Sequence, residues 1–191
     1  RGLSFGADTR SLVYSSERNG KRDLYIAKIS RKEDLNFPNA TLIEEEPLIH
    51  DTKLERDYPQ FSPDGKVVAF IEDRNRLMVV NLDTKKIRQV TDGSTWYTRS
   101  GGFDYSWSPD GKWFTLEFIG NKHDPYSDIG LVSADGKGQI INLTNSGYTS
   151  GSPRWVMGGN AILFITERYG MRNHASWGSL NDVMIAFLNQ D

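Results

Sequence analysis

The feature that most constrains this chain is a short turn sequence that occurs twice. The stretch FSPDGKVVAF at residues 61–70 is followed by WSPDGKWFTL at residues 107–116. In the first copy Pro63 fixes φ for the second position of a type I turn, Asp64 suits the third position, and Gly65 can adopt the left-handed conformation that closes a bulged hairpin. Each copy is therefore predicted to be two antiparallel strands joined by a tight corner.

The residues that flank each corner predict β-strands. Phe61 and Trp107 end the strand that enters the corner, and the residues after it are β-branched or aromatic, which favours an extended chain. We expect both aromatic side chains to be buried where the strand meets the corner. Truncation of Trp107 to alanine would then cost about 3–5 kcal/mol, the range for large aromatic residues in cores.

Two further segments align with these corners and extend the pair to a fourfold repeat. FGADTRSLVYSS begins at Phe5 and WVMGGNAILFIT begins at Trp155, so an aromatic residue opens each repeat at positions 5, 61, 107 and 155. A regular period of about 40–50 residues is typical of solenoids and propellers. The repeat therefore predicts one architecture for the whole chain.

Each repeat also contains a third predicted strand, and three repeats contain a fourth. Third strands are predicted at residues 22–29, 75–82, 127–134 and 181–188. Fourth strands are predicted at residues 40–46, 87–93 and 140–147. Four short antiparallel strands without helical periodicity form the blade of a β-propeller. The sequence thus predicts an all-β fold, a β-propeller built of four-stranded antiparallel blades.

The same repeats define the blades and their completeness. About four blades are expected, at approximately residues 1–51, 52–93, 94–147 and 148–191. The step from third to fourth strand, applied after Val183, runs past Asp191, so the last blade is expected to be incomplete. Because propellers of about 4–8 blades normally close into a ring, we expect residues 1–191 to be a single partial propeller within a larger multidomain protein.

Two corners depart from the SPDG pattern. Thr9 replaces the glycine of the first repeat, and because a β-branched residue is costly in the left-handed region, that turn is expected to change type. Met157 replaces the proline of the last repeat, where Gly158 and Gly159 are expected to form a primed hairpin turn instead. The charged segment 30–51 is expected to be a solvated surface excursion rather than a partner-binding loop.

Charge and composition argue against several classes of partner. Twenty-three basic and 25 acidic residues give a net charge of −2, so neither nucleic acid nor an anionic membrane surface is an expected partner. No apolar run reaches the roughly 18 residues of a membrane span, so membrane insertion is not expected either. The chain contains no cysteine, which excludes disulfides and cysteine-based catalytic or metal sites.

A search for catalytic motifs finds no self-contained active site. The sequence has no G-x-S-x-G elbow, no H-E-x-x-H motif and no glycine-rich phosphate loop, so no catalytic residue and no cofactor are predicted. The histidines are His50, His123 and His174. His123 with Asp124 and Asp128 could form a carboxylate–imidazole metal corner, but a solvated hairpin loop is the favoured interpretation, and no metal site is predicted.

The first candidate site for binding a substrate or partner is the connection at residues 92–107. It contains Trp96, Tyr97 and Arg99, whose residue types dominate binding hot spots. The alternative is that Trp96 and Tyr97 pack between blades. The sequence leaves both interpretations open.

The second candidate site is the loop at residues 168–179. It contains Arg168, Arg172, His174 and Trp177. A loop of this length is more often functional or disordered than incidental. Three roles are compatible with the sequence: capping a channel, contacting a neighbouring domain, or covering the blade.

The repeats resemble those of the TolB type. An aromatic residue, SPDG and an apolar strand are followed by DLY at 23–25 or DIG at 128–130, and by a closing LT at 143–144. This pattern is similar to the propeller repeats of the TolB translocation protein, of prolyl-oligopeptidase and dipeptidyl-peptidase enzymes, and of tricorn proteases, and it covers essentially the whole chain. Residues 164–191 resemble bacterial tricorn-like peptidases, in which propeller blades precede a PDZ-like module and a serine-peptidase domain.

The resemblance implies a non-catalytic propeller segment of a tricorn-like peptidase, which gates or routes peptide substrate and contacts the remaining domains of its parent. The nucleophile of that family lies in a C-terminal domain outside this chain. The alternative is a TolB-like protein–protein interaction module of the cell envelope. A third candidate is a propeller enzyme such as an oligogalacturonate lyase, which the scattered histidines disfavour. The resemblance also implies a periplasmic or otherwise extracytoplasmic location.

Overall fold

The computed structural model describes residues 2–18, 20–49, 53–97, 101–120, 124–172 and 179–189. Within these ranges the chain forms fifteen β-strands and two short 3-10 helices, Phe37–Asn39 and Met157–Gly159, and no α-helix. The strands form four antiparallel sheets in which neighbours along the chain are neighbours in the sheet. The all-β fold predicted from the repeats is confirmed.

Each sheet corresponds to one repeat of the sequence. The first contains β1 (Leu3–Phe5), β2 (Ser11–Arg18), β3 (Lys21–Ile29) and β4 (Ile43–Pro47). The second contains β5 (Arg56–Phe61), β6 (Val67–Glu72), β7 (Arg76–Asn81) and β8 (Ile87–Gln89). The third contains β9 (Tyr105–Trp107), β10 (Trp113–Phe118), β11 (Asp128–Ser133) and β12 (Ile141–Asn142). The fourth has three strands in the described residues, β13 (Ser150–Val156), β14 (Ala161–Thr166) and β15 (Asp182–Phe187).

The sheets belong to two compact units, each with its own apolar core. The first unit contains β1–β8 and the second contains β9–β15, with the division after Gly93. The core of the first unit joins its two sheets and includes Val13, Leu24, Leu48, Val68, Phe70 and Val80. The core of the second unit includes Ile129, Ile162 and Phe164. The third strands β3, β7 and β11 are mostly buried apolar runs, as expected for blades that are covered on both faces, whereas the third strand β15 is mostly exposed.

The two SPDG corners have the predicted geometry. Gly65 and Gly111 both have φ of +70°, the left-handed conformation that the sequence required. The Ser62 hydroxyl donates to the Asp64 carboxylate at 2.6 Å and accepts the Val67 N–H at 3.0 Å. The corresponding serine and aspartate of the third sheet make the same bonds. The hydrogen bond from Ser62 lowers the pKa of Asp64, so the motif is stabilised by its side chains as well as by its backbone.

The prediction that Thr9 changes the type of the first corner is wrong. Thr9 has φ of +58°, and its N–H donates to the Gly6 carbonyl just as the Gly65 N–H donates to the Ser62 carbonyl. The Asp8 carboxylate accepts the N–H groups of Arg10 and Ser11, both at 2.9 Å. These side-chain bonds hold the turn in its type although a β-branched residue occupies the left-handed position.

The corner of the fourth sheet uses the alternative turn that the two glycines predicted. Gly158 and Gly159 have φ of +66° and +100°, and the Asn160 N–H donates to the Met157 carbonyl at 3.2 Å. Positive φ at both central residues is the signature of a type I′ turn. The hairpin between β13 and β14 is therefore closed without proline.

The charged excursion is mostly exposed, as predicted, but it is held to the first sheet at a defined point. The Arg10 guanidinium donates to the backbone carbonyls of Ile29, Arg31 and Asp34. The Asp34 carboxylate is buried and accepts both the N–H and the hydroxyl of Thr41. One arginine thus anchors the segment that leads from β3 to β4.

The expectation that Phe61 and Trp107 are buried is wrong in degree, because both side chains are half-buried. Phe61 packs against the edge of the first core, and the Trp107 ring lies 4.1 Å from the ring of Phe114. Phe70 and Phe114 on the second strands are fully buried, as is Tyr105 on β9. Truncation of Trp107 should therefore cost less than the full core value given above.

Candidate functional site

The two sheets of the second unit have two ends that carry different connections between strands. Because successive strands are antiparallel, the connections between first and second strands and between third and fourth strands lie at one end, which we call the corner end. The connections between second and third strands, and those that enter the next sheet, lie at the opposite loop end. The described residues of the two candidate loops that belong to this unit, 94–97 and 101–104 of the first loop and 168–172 and 179 of the second, lie at the loop end.

Hydrogen bonds between loops join the loop end into one surface. Three backbone N–H groups donate to carbonyls on neighbouring connections, and these pairs are Ile119 to Thr95, Ser150 to Ser127, and Glu167 to Thr149, while the Leu180 N–H donates to the Gly170 carbonyl within the connection between β14 and β15. Their donor–acceptor distances lie between 2.8 and 3.1 Å. The side chains that this end displays are therefore positioned by the sheets rather than by each loop alone.

The structure gives Trp96 and Tyr97 different roles. Trp96 is half-buried with its ring 5.6 Å from that of Phe103, and its indole N–H is buried with no hydrogen-bond partner among the described residues. Tyr97 is exposed, and its hydroxyl donates to the Asp124 carboxylate, which raises the pKa of Tyr97. Trp96 thus follows the packing alternative, within the third repeat, while Tyr97 faces solvent. Arg99 lies outside the described residues.

The second loop displays cations and an aromatic ring. Arg168 and Arg172 are exposed, and the Arg168 guanidinium lies 5.6 Å from the ring centre of Tyr169, which is also exposed. Sequence reasoning missed Tyr169, although its position next to Arg168 was a visible signal. His174 and Trp177 lie outside the described residues. The contacts of the described candidates tie Tyr97 to Asp124 and Arg168 to Tyr169, so they form two separate groups.

A half-buried carboxylate between the two sheets supports the loop end. Glu117 of β10 accepts the Ser152 N–H at 2.6 Å and the Asp104 N–H at 3.4 Å. Asp104 in turn accepts the Ser152 hydroxyl at 3.0 Å. Burial raises the pKa of Glu117, and the neighbouring Asp104 charge adds to this shift. Sequence reasoning missed this group, for which the signal was a single acid in the apolar strand WFTLEF.

A cleft of about 590 Å³ lies at the corner end of the same two sheets. Its lining is mainly apolar, with Trp113, Ile141 and Trp155 among the lining residues and Asp110 and Asn160 as polar groups. The Trp155 indole N–H donates to the Ser106 carbonyl at 3.1 Å, which fixes the orientation of that ring. The lining suits an apolar or aromatic group with a polar neighbour. The sequence repeat places Trp113 and Trp155 near corners, but it does not show that the two side chains line one cleft.

The described residues do not form the metal site that His123, Asp124 and Asp128 suggested. Asp128 is fully buried, and its carboxylate accepts the Asn142 amide, the Thr144 hydroxyl and the Ser146 N–H. His123, like His50, lies outside the described residues. Across the described ranges, no group of three histidine, cysteine or acidic side chains is arranged to hold a metal ion.

No helix in the described part of the chain is long and apolar enough to cross a bilayer.

The chain is a TolB-like β-propeller that resembles the propeller region of tricorn-like peptidases. The features that it shares with TolB-type repeats are the SPDG corners, the DLY and DIG third strands and the closing LT. A TolB protein of the Tol-Pal system from Francisella tularensis subsp. tularensis (strain WY96-3418) is 25% identical over 153 residues, which is 76% of this chain and 31% of that protein. The chain thus spans about a third of the length of this curated relative. No family model matches the chain.

Solved structures show the same fold at lower identity. The tricorn protease superposes with a TM-score of 0.65 and 14% identity, over 98% of this chain and 18% of that one. A prolyl endopeptidase superposes with a TM-score of 0.61 and 17% identity, over 99% of this chain and 28% of that one. At such identities the superpositions establish the propeller fold and leave activity to be argued from the residues.

Proposed function

We propose that this chain is a non-catalytic propeller segment of a tricorn-like peptidase, in which it gates or routes peptide substrate and contacts the remaining domains of a larger parent protein. The observation that carries the proposal is the loop end of the second unit. There Tyr97, Arg168 and Tyr169 are exposed on loops that hydrogen bonds between neighbouring connections hold in place. Exposed tyrosine and arginine are the residue types that anchor peptides and protein partners.

A gating surface makes a specific kinetic prediction. Because it offers no group to the reacting atoms, it should change access and KM more than the chemical step. The parent is then a serine peptidase whose nucleophile lies in another domain, and the propeller works outside the cytoplasm, as the resemblance to TolB-type repeats implies. Arg172, which is also exposed, belongs to the same proposed surface, whereas Arg99, His174 and Trp177 lie outside the described residues.

The test compares full-length parent protein with two variants. One carries Arg168→Ala and Tyr169→Ala at the loop end, and the control carries Lys137→Ala, an exposed cation at the corner end. With an unfolded protein substrate, KM of the loop variant should rise about threefold or more, while kcat for a short fluorogenic peptide stays unchanged. Unchanged KM in the loop variant, or an equal change in the control, would contradict the gating role. Serine-peptidase turnover by residues 1–191 alone would contradict the non-catalytic assignment.

The second candidate is a TolB-like protein–protein interaction module of the cell envelope. The sequence similarity to a TolB protein over 76% of this chain favours it. The residues encoded after Asp191 in the parent gene distinguish the two candidates. A PDZ-like module followed by a serine-peptidase domain supports the peptidase, and a stop codon supports the free module.

A further inference from the structure

The cleft at the corner end of the second unit lies between the facing surfaces of its two sheets. Residues that pair directly across antiparallel strands share a face, and Leu131 of β11 and Ile141 of β12 are such a pair. Trp155 of β13 is paired with Ile162 and packs against the same core as Leu131. Trp113 of β10 also lines the cleft, so each of the two sheets contributes one indole ring to its walls.

Two corners meet at one side of the cleft. A Cβ added at Gly159 would lie 3.4 Å from Pro109 Cδ, so the turn of the fourth sheet lies next to the SPDG corner of the third. Both residues line the cleft. Its volume of about 590 Å³ is within the usual range of ligand pockets.

The exposed side of the cleft belongs to the outer strand of the third sheet, where Ile141 is 53% exposed. Aligning DLY at 23–25 with DIG at 128–130 places Ile26 at the position of Leu131, and Ile26 lies opposite Glu46. Glu46 therefore corresponds to Ile141. Its side chain is 59% exposed although the neighbouring sheet of the first unit has four strands. Exposure at this position is thus a property of the outer strand, and a complete neighbouring sheet does not cover it.

The tryptophan and isoleucine walls are specific to the second unit. When the repeats are aligned on their opening aromatic residues, Ser11 corresponds to Trp113. Glu46, at the position of Ile141, is paired with Lys85 at 3.8 Å. The same place thus has a serine and an ion-paired glutamate in the first unit. The shared blade architecture does not require the apolar lining of the second.

A carboxylate and two side-chain amides complete the lining of the cleft. Asp110 accepts the Ser108 hydroxyl at 2.6 Å and the Lys112 N–H at 3.1 Å, and these bonds lower its pKa. Lys112 Nζ lies 3.9 Å from Asp110, but the two side chains are 76% and 54% exposed, so their ion pair is weak and another cation can replace it. Asn160 and Asn189 provide the amides.

We propose that this cleft is a binding site for an extended polypeptide segment in which an aromatic residue is followed by lysine or arginine. The aromatic ring packs against Trp113 and Trp155, because aromatic side chains associate edge to face or offset-stacked. The following cation pairs with Asp110, and the amides hydrogen-bond to the peptide backbone. The site lies at the corner end, so it does not depend on the gating surface proposed at the loop end.

The probe is the acetylated and amidated peptide GSFRSG, titrated into isotopically labelled residues 1–191. The indole N–H signals of Trp113 and Trp155 should shift saturably in heteronuclear NMR spectra. Replacing phenylalanine by alanine in the peptide should weaken binding about tenfold, and replacing arginine by glutamate should weaken it about threefold. Equal binding of the three peptides, or no shift of either indole signal, would overturn the proposal.

Matched substitutions in the protein test the location. Trp113→Ser introduces the residue type of the first unit. Leu163→Ser alters a side chain that is also 37% exposed, but that lies on the other face of the fourth sheet from the core residues Ile162 and Phe164. The first should weaken GSFRSG binding about tenfold and the second should leave it unchanged. Equal effects of the two substitutions would overturn the site.

The loop-end variant separates this site from the gating surface. GSFRSG should bind the chain that carries Arg168→Ala and Tyr169→Ala as tightly as the unsubstituted chain. Weaker binding in that variant, without an effect of Trp113→Ser, would place the peptide at the loop end. That result would overturn the cleft site and support the gating surface.

Asp110→Asn tests the cation independently of folding. Asparagine keeps an oxygen that can accept the bonds from Ser108 and Lys112, but it removes the charge. The variant should lose the roughly threefold preference for arginine over glutamate in the peptide and keep the preference for phenylalanine over alanine. A general folding defect does not produce that selective loss, so the result tests the site even if Trp113→Ser impairs folding. A retained arginine preference would overturn the pairing with Asp110.

A second copy of the chain is the competing occupant. If an aromatic side chain of another copy fills the cleft, sedimentation will show dimers that Trp113→Ser abolishes and that excess GSFRSG does not disperse. That outcome would overturn the proposal, whereas dimers that GSFRSG disperses and its alanine form does not would support it.

Discussion

In each of the two units of this protein a carboxylate joins the two sheets, but it comes from opposite sides of the interface. In the first unit Asp57 of β5 accepts the Ser15 hydroxyl of β2 at 2.6 Å. In the second unit Glu117 of β10 accepts the Ser152 N–H of β13 at 2.6 Å. When the repeats are aligned on their opening aromatic residues, Ser15 corresponds to Glu117 and Asp57 corresponds to Gly151. Each interface therefore accommodates one acid and one small residue, in exchanged positions.

The partners of the two carboxylates differ more than their positions. Arg22 donates to Asp57 at 2.7 Å, and the fully buried Arg56 pairs with Glu72 and Asp23 in the same unit. The residue that corresponds to Arg22 in the third repeat is Ser127, which brings no cation. Glu117 instead lies beside Asp104, and its pKa is raised. The same backbone arrangement thus supports an ion-paired interface in the first unit. In the second unit it supports a carboxylate that accepts hydrogen bonds mainly from backbone N–H groups.

The largest expected effect is the loss of Arg56 from the first unit. Arg56→Ala should destabilise that unit by about 3–5 kcal/mol, because the buried Glu72 and the half-buried Asp23 would lose their common cation. The control is Arg74→Ala, which removes an exposed pair with Glu55 and should cost less than about 1 kcal/mol. Urea denaturation measures both. Equal costs would show that the buried network contributes no more than a surface pair.

Corner substitutions should give the next largest effect. Gly111→Thr introduces into the second unit the residue type that the first unit has at Thr9, and should cost about 1–2 kcal/mol, since a non-glycine residue is strained in the left-handed region. Thr9→Gly should stabilise the first unit by up to about 1 kcal/mol. The free energy of unfolding of each variant, measured by denaturation, tests both predictions. A stabilising Gly111→Thr would mean that local bonds, as at Asp8, remove the strain entirely.

A double-mutant cycle tests the exchange of acid and small residue in the second unit. A Cβ added at Gly151 would lie 2.5 Å from Glu117 Oε1, so Gly151→Ala should displace that oxygen from the Ser152 N–H and cost about 1 kcal/mol. In a Glu117→Ala background the same change should cost much less, because the displaced atom is absent. If the costs of Gly151→Ala and Glu117→Ala are additive, the two residues do not interact, and the proposed exchange of acid and small residue would be contradicted.

The smallest expected effect is a pH dependence confined to the second unit. Burial raises the folded-state pKa of Glu117 above its unfolded value, so the stability linked to its protonated form is present below the unfolded pKa and is lost as pH rises through the folded pKa. The difference in unfolding free energy between wild type and Glu117→Gln should therefore fall as pH rises above about 4.5. Denaturation at a series of pH values measures this slope. A difference that is constant or grows with pH would contradict a raised pKa.

Much of the fold was predictable because its signals are local. The SPDG residues define their corners within four positions, and apolar runs between polar turns marked the third strands on β3, β7, β11 and β15 correctly. Thr9 was mispredicted because Asp8 holds the turn through side-chain bonds that glycine-based turn rules do not include. Half-burial of Trp107 was missed because burial depends on what the adjacent sheet covers.

The candidate site was predictable only in its residue types. Composition and loop length selected Tyr97 and Arg168 as exposed binding candidates, and the structure places both side chains at the surface. The sequence did not indicate that Trp96 packs on Phe103 or that the Tyr169 ring lies beside the Arg168 guanidinium. It also did not indicate that Trp113 and Trp155 line one cleft. Those relations join residues from different loops or sheets, and spacing along the chain contains no distance between them.

Sequence alone defines the number, order and pairing of the strands, because each turn and each apolar run is specified by residues within a few positions of one another. The partners across each interface depend on tertiary structure. Ser15 meets Asp57 and Glu117 meets Ser152 only after two repeats have packed together. Packing density and the cost of an unpaired buried charge then select which acid forms a salt bridge and which is bonded mainly by backbone N–H groups, and neither quantity exists until neighbouring sheets exclude water.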